Sequence, residues 1–146
     1  MHIFKKSFQI KGGEFNRAGE VSINIQNLLK SMDFDPRLIR RIAICGYESE
    51  MNVVMHGGEG SLSLEVDADK LTLEVTDDGP GIEDIDLAMQ AGYSTAEDAH
   101  REMGFGAGMG LPNIKKNADL IHIESPENKG TIVQMVFFLP DGGKAD

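Results

Sequence analysis

Three stretches of this chain hold residues whose types and spacing could do chemistry. In EVTDDGPGI, the odd positions Leu71, Leu73 and Val75 are apolar. A period of two carries that face on to Asp77 and leaves Asp78 on the polar side. An inward carboxylate left unpaired costs several kcal/mol, so Asp77 needs a donor. It can cap the turn made by Gly79-Pro80-Gly81, or accept a hydrogen bond from the exocyclic amine of an adenine, with Gly79 and Gly81 letting the ring approach the backbone. In YESEMNVVMH, Glu48 and Asn52 stand four apart and continue a line through Arg41 and Cys45, so on a helix they share a face. An acid so placed can orient or deprotonate a hydroxyl, and an amide oxygen suits Mg²⁺, which prefers oxygen ligands. The alternative is an ordinary solvated edge; Glu50, about 200° around from Glu48 at 3.6 residues per turn, is expected to lie on one.

The third stretch is GFGAGMGLPNIKK, residues 104 to 116, with glycine at every second position before a proline-started helix. Each ordered Gly costs about 0.5–1 kcal/mol relative to Ala, so the run needs a reason. A linker is one. The other is a backbone surface for phosphate, because unpaired N–H groups and the positive end of a helix dipole make an anion site. Lys115 and Lys116 either approach that anion or form a solvated helix face. Neither GxxxxGK[ST] nor GxGxxG occurs, which argues against a Walker-type loop and a dinucleotide fold.

The elements that must position these groups follow from periodicity. Phe4, Phe8 and Ile10 mark a strand, and Ala18, Val21, Ile25, Leu28 and Met32 form the stripe of a first helix. Asp35-Pro36 supplies the N-cap and first turn of a second helix running to about His56, with Ile42, Met51 and Met55 on its apolar side. Leu62, Leu64 and Val66, a turn over residues 67–70, and Leu71, Leu73 and Val75 form a hairpin. Residues 77–110 read as a long functional loop, with EDIDLAMQA as a short helix. A third helix carrying Leu111, Ile114 and Ala118 follows, then strands LIHIE and TIVQMVFFL around the turn PENKG. This order predicts an α+β, two-layer α/β sandwich in which a mostly antiparallel, mixed sheet is covered on one face by helices. Residues 1–140 form one domain and 141–146 a disordered tail.

With 146 residues the chain is long enough for one core, and its formal net charge of -10 argues against a nucleic-acid or anionic-membrane partner. A lone cysteine, Cys45, and an N-terminus without a long apolar stretch point to the cytoplasm.

An inward Asp with DxGxG, an upstream Glu-x-x-x-Asn and a downstream GxGxG opening a helix come here in a familiar order. The chain resembles the Bergerat-fold ATPases, the group of gyrase B, heat-shock chaperones, mismatch-repair ATPases and histidine kinases. Glu48 and Asn52 match its N box, residues 77–81 the first glycine box, residues 106–110 the second, and Gly130-Thr131 the short final box. Only His2 precedes the N box, so a phosphoacceptor hairpin is not expected, and the length matches the small stand-alone serine/threonine kinases that act as anti-sigma factors or switch proteins.

That resemblance implies an ATP-dependent kinase acting on a serine or threonine of a STAS-type antagonist, with a sigma factor as a further partner and a homodimer as its assembly. Glu48 would be the catalytic group, Asn52 the Mg²⁺ ligand and Asp77 the adenine reader. Gly79, Gly81, Gly104, Gly106, Gly108, Met109, Gly110 and Thr131 would complete the nucleotide site, with residues 92–110 as a lid and Arg17 as a partner contact. The alternatives are a non-catalytic ATP-gated binding module and a detached histidine-kinase catalytic domain.

Overall fold

The computed structural model describes residues 4–56, 58–79, 110–125 and 130–144. Strand β1 (Phe4–Lys11) leads through a short 3₁₀ turn (Phe15–Arg17) to helices α1 (Glu20–Ser31) and α2 (Pro36–His56). Strands β2 (Glu59–Val66) and β3 (Lys70–Asp77), helix α3 (Gly110–Asn117) and strands β4 (Leu120–Glu124) and β5 (Thr131–Phe138) follow. The strands lie in the order β1-β2-β3-β5-β4. All four pairings are antiparallel, so the sheet is more uniform than the mixed sheet expected: among the described residues it contains no parallel pair.

Alternation does the work in the sheet. Leu62, Val75 and Val133 sit across from one another, as do Leu64, Leu73 and Met135, and Val66, Leu71 and Phe137. All nine are buried and form three apolar rows under the helices. Val21, Ile25 and Leu29 of α1, Ile42, Met51 and Val53 of α2, and Leu111 and Ile114 of α3 close the core from one side. On α1 Leu29 is fully buried, whereas Leu28 of the expected stripe is only partly buried; the helix starts at Glu20, so Ala18 lies before it.

The start of α2 follows its local sequence. Asp35 accepts the Arg37 N–H on Oδ1 at 2.9 Å, a side-chain cap at the second helical position, and Pro36 has no N–H to waste there. The β2–β3 turn is closed by Asp67, whose Oδ1 accepts the N–H groups of Asp69 and Lys70 at 2.8 and 2.9 Å.

The tail expected to be disordered is docked as far as Lys144. Residues Pro140–Gly143 form a 3₁₀ turn, the Gly143 carbonyl accepts the Asp35 N–H at 2.8 Å, and Lys144 bridges to Phe34 and bonds the Met32 carbonyl. The turn between α1 and α2 offers backbone donors and acceptors, and this segment pairs with them. Among the described residues no helix is long and apolar enough to cross a membrane.

Candidate functional site

The polar line along α2 faces α3. From one end to the other, Arg41 donates to the Asn117 carbonyl at 2.9 Å, Cys45 Sγ approaches the Ile114 carbonyl at 3.7 Å, and Glu48 Oε1 accepts Asn113 Nδ2 at 3.3 Å. Asn52 lies against Gly110: a Cβ placed there would come within 3.3 Å of Asn52 Oδ1 and 3.5 Å of Glu48 Oε2. Rising numbers on α2 therefore meet falling numbers on α3, and the helices run antiparallel. The consequence is electrostatic, since the N-terminus of α3, whose first N–H groups have no partner within the helix and whose dipole end is positive, opens beside the Glu48 carboxylate and the Asn52 amide.

Arg41 fixes this register from the far end. Besides capping the last turn of α3 it pairs with Asp119 at 3.0 Å and lies over the Phe137 ring at 5.7 Å. Cys45 is wholly buried beside it, and desolvation pushes its thiol up to about 12, so it stays protonated and inert at neutral pH.

Asp77 ends β3, in register with Gly60 on one side and Thr131 on the other. It is half-buried, whereas Asp78 is exposed, as the period of two predicts. Its Oδ1 accepts the Gly79 N–H at 2.9 Å, the turn-capping bond. Asp78 instead caps the start of β2 through the Glu59 N–H at 2.7 Å. Gly130 closes over this corner: its φ of +68° suits glycine, its N–H bonds the Gly79 carbonyl at 2.8 Å, and a Cβ would stand 2.4 Å from the Asp77 carbonyl oxygen. Thr131 is buried next to it. Val53 packs so closely on Gly60 that a Cβ there would meet its Cγ1 at 2.8 Å. That contact brings the end of α2 bearing Asn52 to the end of the sheet bearing Asp77.

Of the residues expected in the site, Glu48, Asn52 and Gly110 are drawn together, and Asp77, Gly79 and Thr131 form the adjoining corner. Gly81, Gly104, Gly106, Gly108 and Met109 lie outside the described residues, as do residues 92–109 of the expected lid and the short helix at residues 83–91. Lys115 and Lys116 are exposed on α3. Arg17 is exposed in the 3₁₀ turn, 3.1 Å from Glu20 and 3.7 Å from Glu14. The sequence reading missed Asn113; its place in the first turn of a helix antiparallel to α2 is the signal that identifies it.

Glu50 corrects the expectation of a solvated edge. Only 2% exposed, it accepts the N–H groups of Gly19 and Val21 on Oε2 and of Ser22 on Oε1, at 3.0 to 3.2 Å. The N-cap of helix α1 is Gly19, which has no side chain to cap it, and Glu50 supplies the missing acceptor from the neighbouring helix. Burial pushes its carboxyl above the ordinary range, against the pull of those three N–H groups. Among the described residues no cluster of three or more His, Cys, Asp or Glu could hold a metal ion.

Residues 41–142 match the model of the histidine kinase-, DNA gyrase B- and HSP90-like ATPases, a span that runs from Arg41 through Thr131 and past β5. The chain belongs to this ATPase family. Membership implies use of ATP. Among curated relatives, an anti-sigma F factor of Thermoanaerobacter sp. (strain X514) is 34% identical over 97 residues, 63% of this chain. The chain spans 64% of the length of that relative. The serine/threonine-protein kinase RsbT of Bacillus subtilis is 30% identical over 118 residues, covering 78% of this chain and 83% of that protein. Two solved structures share the fold. A chain in the SiaB-SiaC complex from Pseudomonas aeruginosa aligns with a TM-score of 0.59 at 12% identity, over 90% of this chain and 89% of that one. The mycobacterial sensor histidine kinase MprB aligns at 0.51 and 13%, over 92% and 97%.

Proposed function

We propose that this member of the family is an ATP-dependent serine/threonine protein kinase that phosphorylates a STAS-type antagonist protein and thereby switches partner binding. The observation that carries the proposal is the antiparallel docking of α3 on α2, which sets a carboxylate, an amide oxygen and a helix N-terminus around Gly110. A phosphate chain lies against the α3 N-terminus, and Gly110 leaves it the room that a side chain would take. Asp77 accepts the adenine amine. Glu48, held by Asn113, takes the proton from the substrate hydroxyl as its oxygen bonds to the γ-phosphorus and ADP leaves.

The donor set fits Mg²⁺: Asn52 Oδ1 is a neutral oxygen ligand beside a carboxylate, suited to a metal that keeps several waters and phosphate oxygens. When bound, the ion would neutralise charge on the phosphates; Asn52 would hold it. The alignment with RsbT, named a serine/threonine-protein kinase, over 78% of this chain supports the kinase reading. In this reading the chain acts in the cytoplasm as one domain, with the remaining nucleotide contacts from Gly79, Gly81, Gly104, Gly106, Gly108, Met109 and Thr131.

The test is transfer of labelled phosphate from Mg-ATP to purified STAS-domain proteins encoded in the same genome. Glu48→Gln is expected to lower the rate by about 10²–10⁴-fold, the usual worth of a positioned base, with ATP affinity unchanged. Wild-type transfer by that variant removes Glu48 from the reaction.

A further inference from the structure

On the outer side of the helical layer, α1 and α2 enclose a groove of about 940 Å³. No strand residue lines it. Its walls are second stripes on both helices, spaced three and four apart: on α2, Ile39, Ala43, Ile44 and Tyr47 lead to Glu48. A purely solvated helix pair would present polar side chains there. Instead Ile23 of α1 is 57% exposed and Tyr47 is 43% exposed. From Pro36 to Glu48 the groove follows α2 for about 18 Å, the length of a helix of three turns.

Its two ends differ. Glu48 stands at one, so whatever fills the groove there lies against the proposed base. At the other, Lys30 and Arg40 face it from opposite helices, with Asp33 of the connecting turn beside them, so this end carries two cations against one carboxylate. Among the described residues neither is in an ion pair. Two such cations together in a chain of net charge -10 mark a local site for carboxylates.

We infer that this groove seats a helix of the protein substrate, its apolar ridge against Ile23, Ile44 and Tyr47 and its acidic end against Lys30 and Arg40. The inference rests on the kinase reading of Glu48. It assigns specificity to residues beside the nucleotide corner rather than in it, since Glu48 is shared while Asp77 and Gly110 take no part in the groove. Docking of this kind is the helix-in-groove mode, in which apolar anchors give affinity and rim charges fix direction. It aims the acceptor hydroxyl by holding the partner's helix along a fixed line ending at Glu48.

The experiment compares wild type with Ile23→Asp and with Lys30→Glu/Arg40→Glu, all exposed changes whose folding is checked by thermal melts. With a STAS-domain substrate of the same genome, each variant is expected to raise KM for the protein at least about tenfold, with ATP affinity and kcat at saturation within about twofold of wild type. Acid-to-lysine changes on the substrate helix should restore the doubly reversed variant. Unchanged KM in both variants overturns the inference. So does loss of a homodimer in sedimentation with no effect on the substrate, which would give the groove to a second copy. If wild type binds Mg-ATP but phosphorylates none of the STAS proteins, the kinase reading fails and the groove is judged by calorimetric binding. It then stands if one of them binds and Ile23→Asp weakens that binding, and it falls otherwise.

Discussion

At the scale of single residues, Glu50 shows how a carboxylate can be structural while its neighbour two positions away is chemical. Glu48 faces α3 and the phosphate corner, whereas Glu50 closes the N-terminus of α1. Glu50→Ala removes the acceptor for three backbone N–H groups and is expected to cost about 2–4 kcal/mol in urea melts, from one unsatisfied buried cap plus the lost packing. Glu50 also gives a pH dependence with a definite sign. Its carboxyl titrates above the ordinary value of 4.5 because burial disfavours the charge. A raised value means that the folded state holds the proton more tightly than the unfolded one. The contribution of Glu50 is therefore complete below 4.5 and is lost as pH rises through the raised value. Stability of wild type minus that of Glu50→Gln should shrink as pH rises above 4.5, and a difference flat from pH 4 to 8 would contradict this. Single-residue chemistry was legible where parity decides it: the strand period separated Asp77 from Asp78. It was not legible for Glu50, because the angle around one helix does not say which neighbour covers that angle. The sign of a covered position lay elsewhere, in a glycine where α1 would ordinarily carry its own cap.

At the scale of elements, the site depends on the register of α2 against α3. The start of α2 could be read from Asp35-Pro36, and its line from Arg41 to Asn52 from the spacing alone. That the line would meet α3 head to tail could not, because residues 41 and 117 are brought together only by the sheet order. Arg41 sets that register at one end, and the contact at Gly110 closes it at the other. Gly110→Ala tests the tight end. Alanine favours a helix over glycine by about 1 kcal/mol, so the melting temperature should hold or rise. The new methyl, however, would sit 3.3 Å from Asn52 Oδ1, which must give by a few tenths of an ångström, and in ordinary contact, at 3.5 Å, with Glu48 Oε2. Phosphoryl transfer should then fall by about tenfold or more, since small misplacement of positioned groups is costly, while stability does not. A fall in both together would mean that the glycine serves the helix packing and not the site.

At the scale of the whole molecule, three rows of apolar side chains across antiparallel strands and, among the described residues, three helices make one core, and Cys45 is one of its buried members. The cysteine is wholly buried, and burial raises its thiol to about 12. Both facts block the thiolate, so a thiol reagent can reach it only after α2 separates from α3 and the sheet. The labelling rate therefore measures how the fold opens. If opening is global, a ligand that binds only the folded state slows labelling by the factor 1 + [L]/Kd, about a hundredfold for Mg-ATP at 100 times Kd. If α3 alone swings away from α2, the nucleotide corner goes with it, because Glu48 and Asn52 meet Gly110 on the same two helices. Nucleotide would again protect, yet the unliganded labelling rate would imply an opening free energy below that from urea melts. Labelling of nucleotide-saturated protein at the unliganded rate would separate the cysteine from the site. It would remove the mechanical link between the core of α2 and the corner at Gly110 on which the kinase assignment is built.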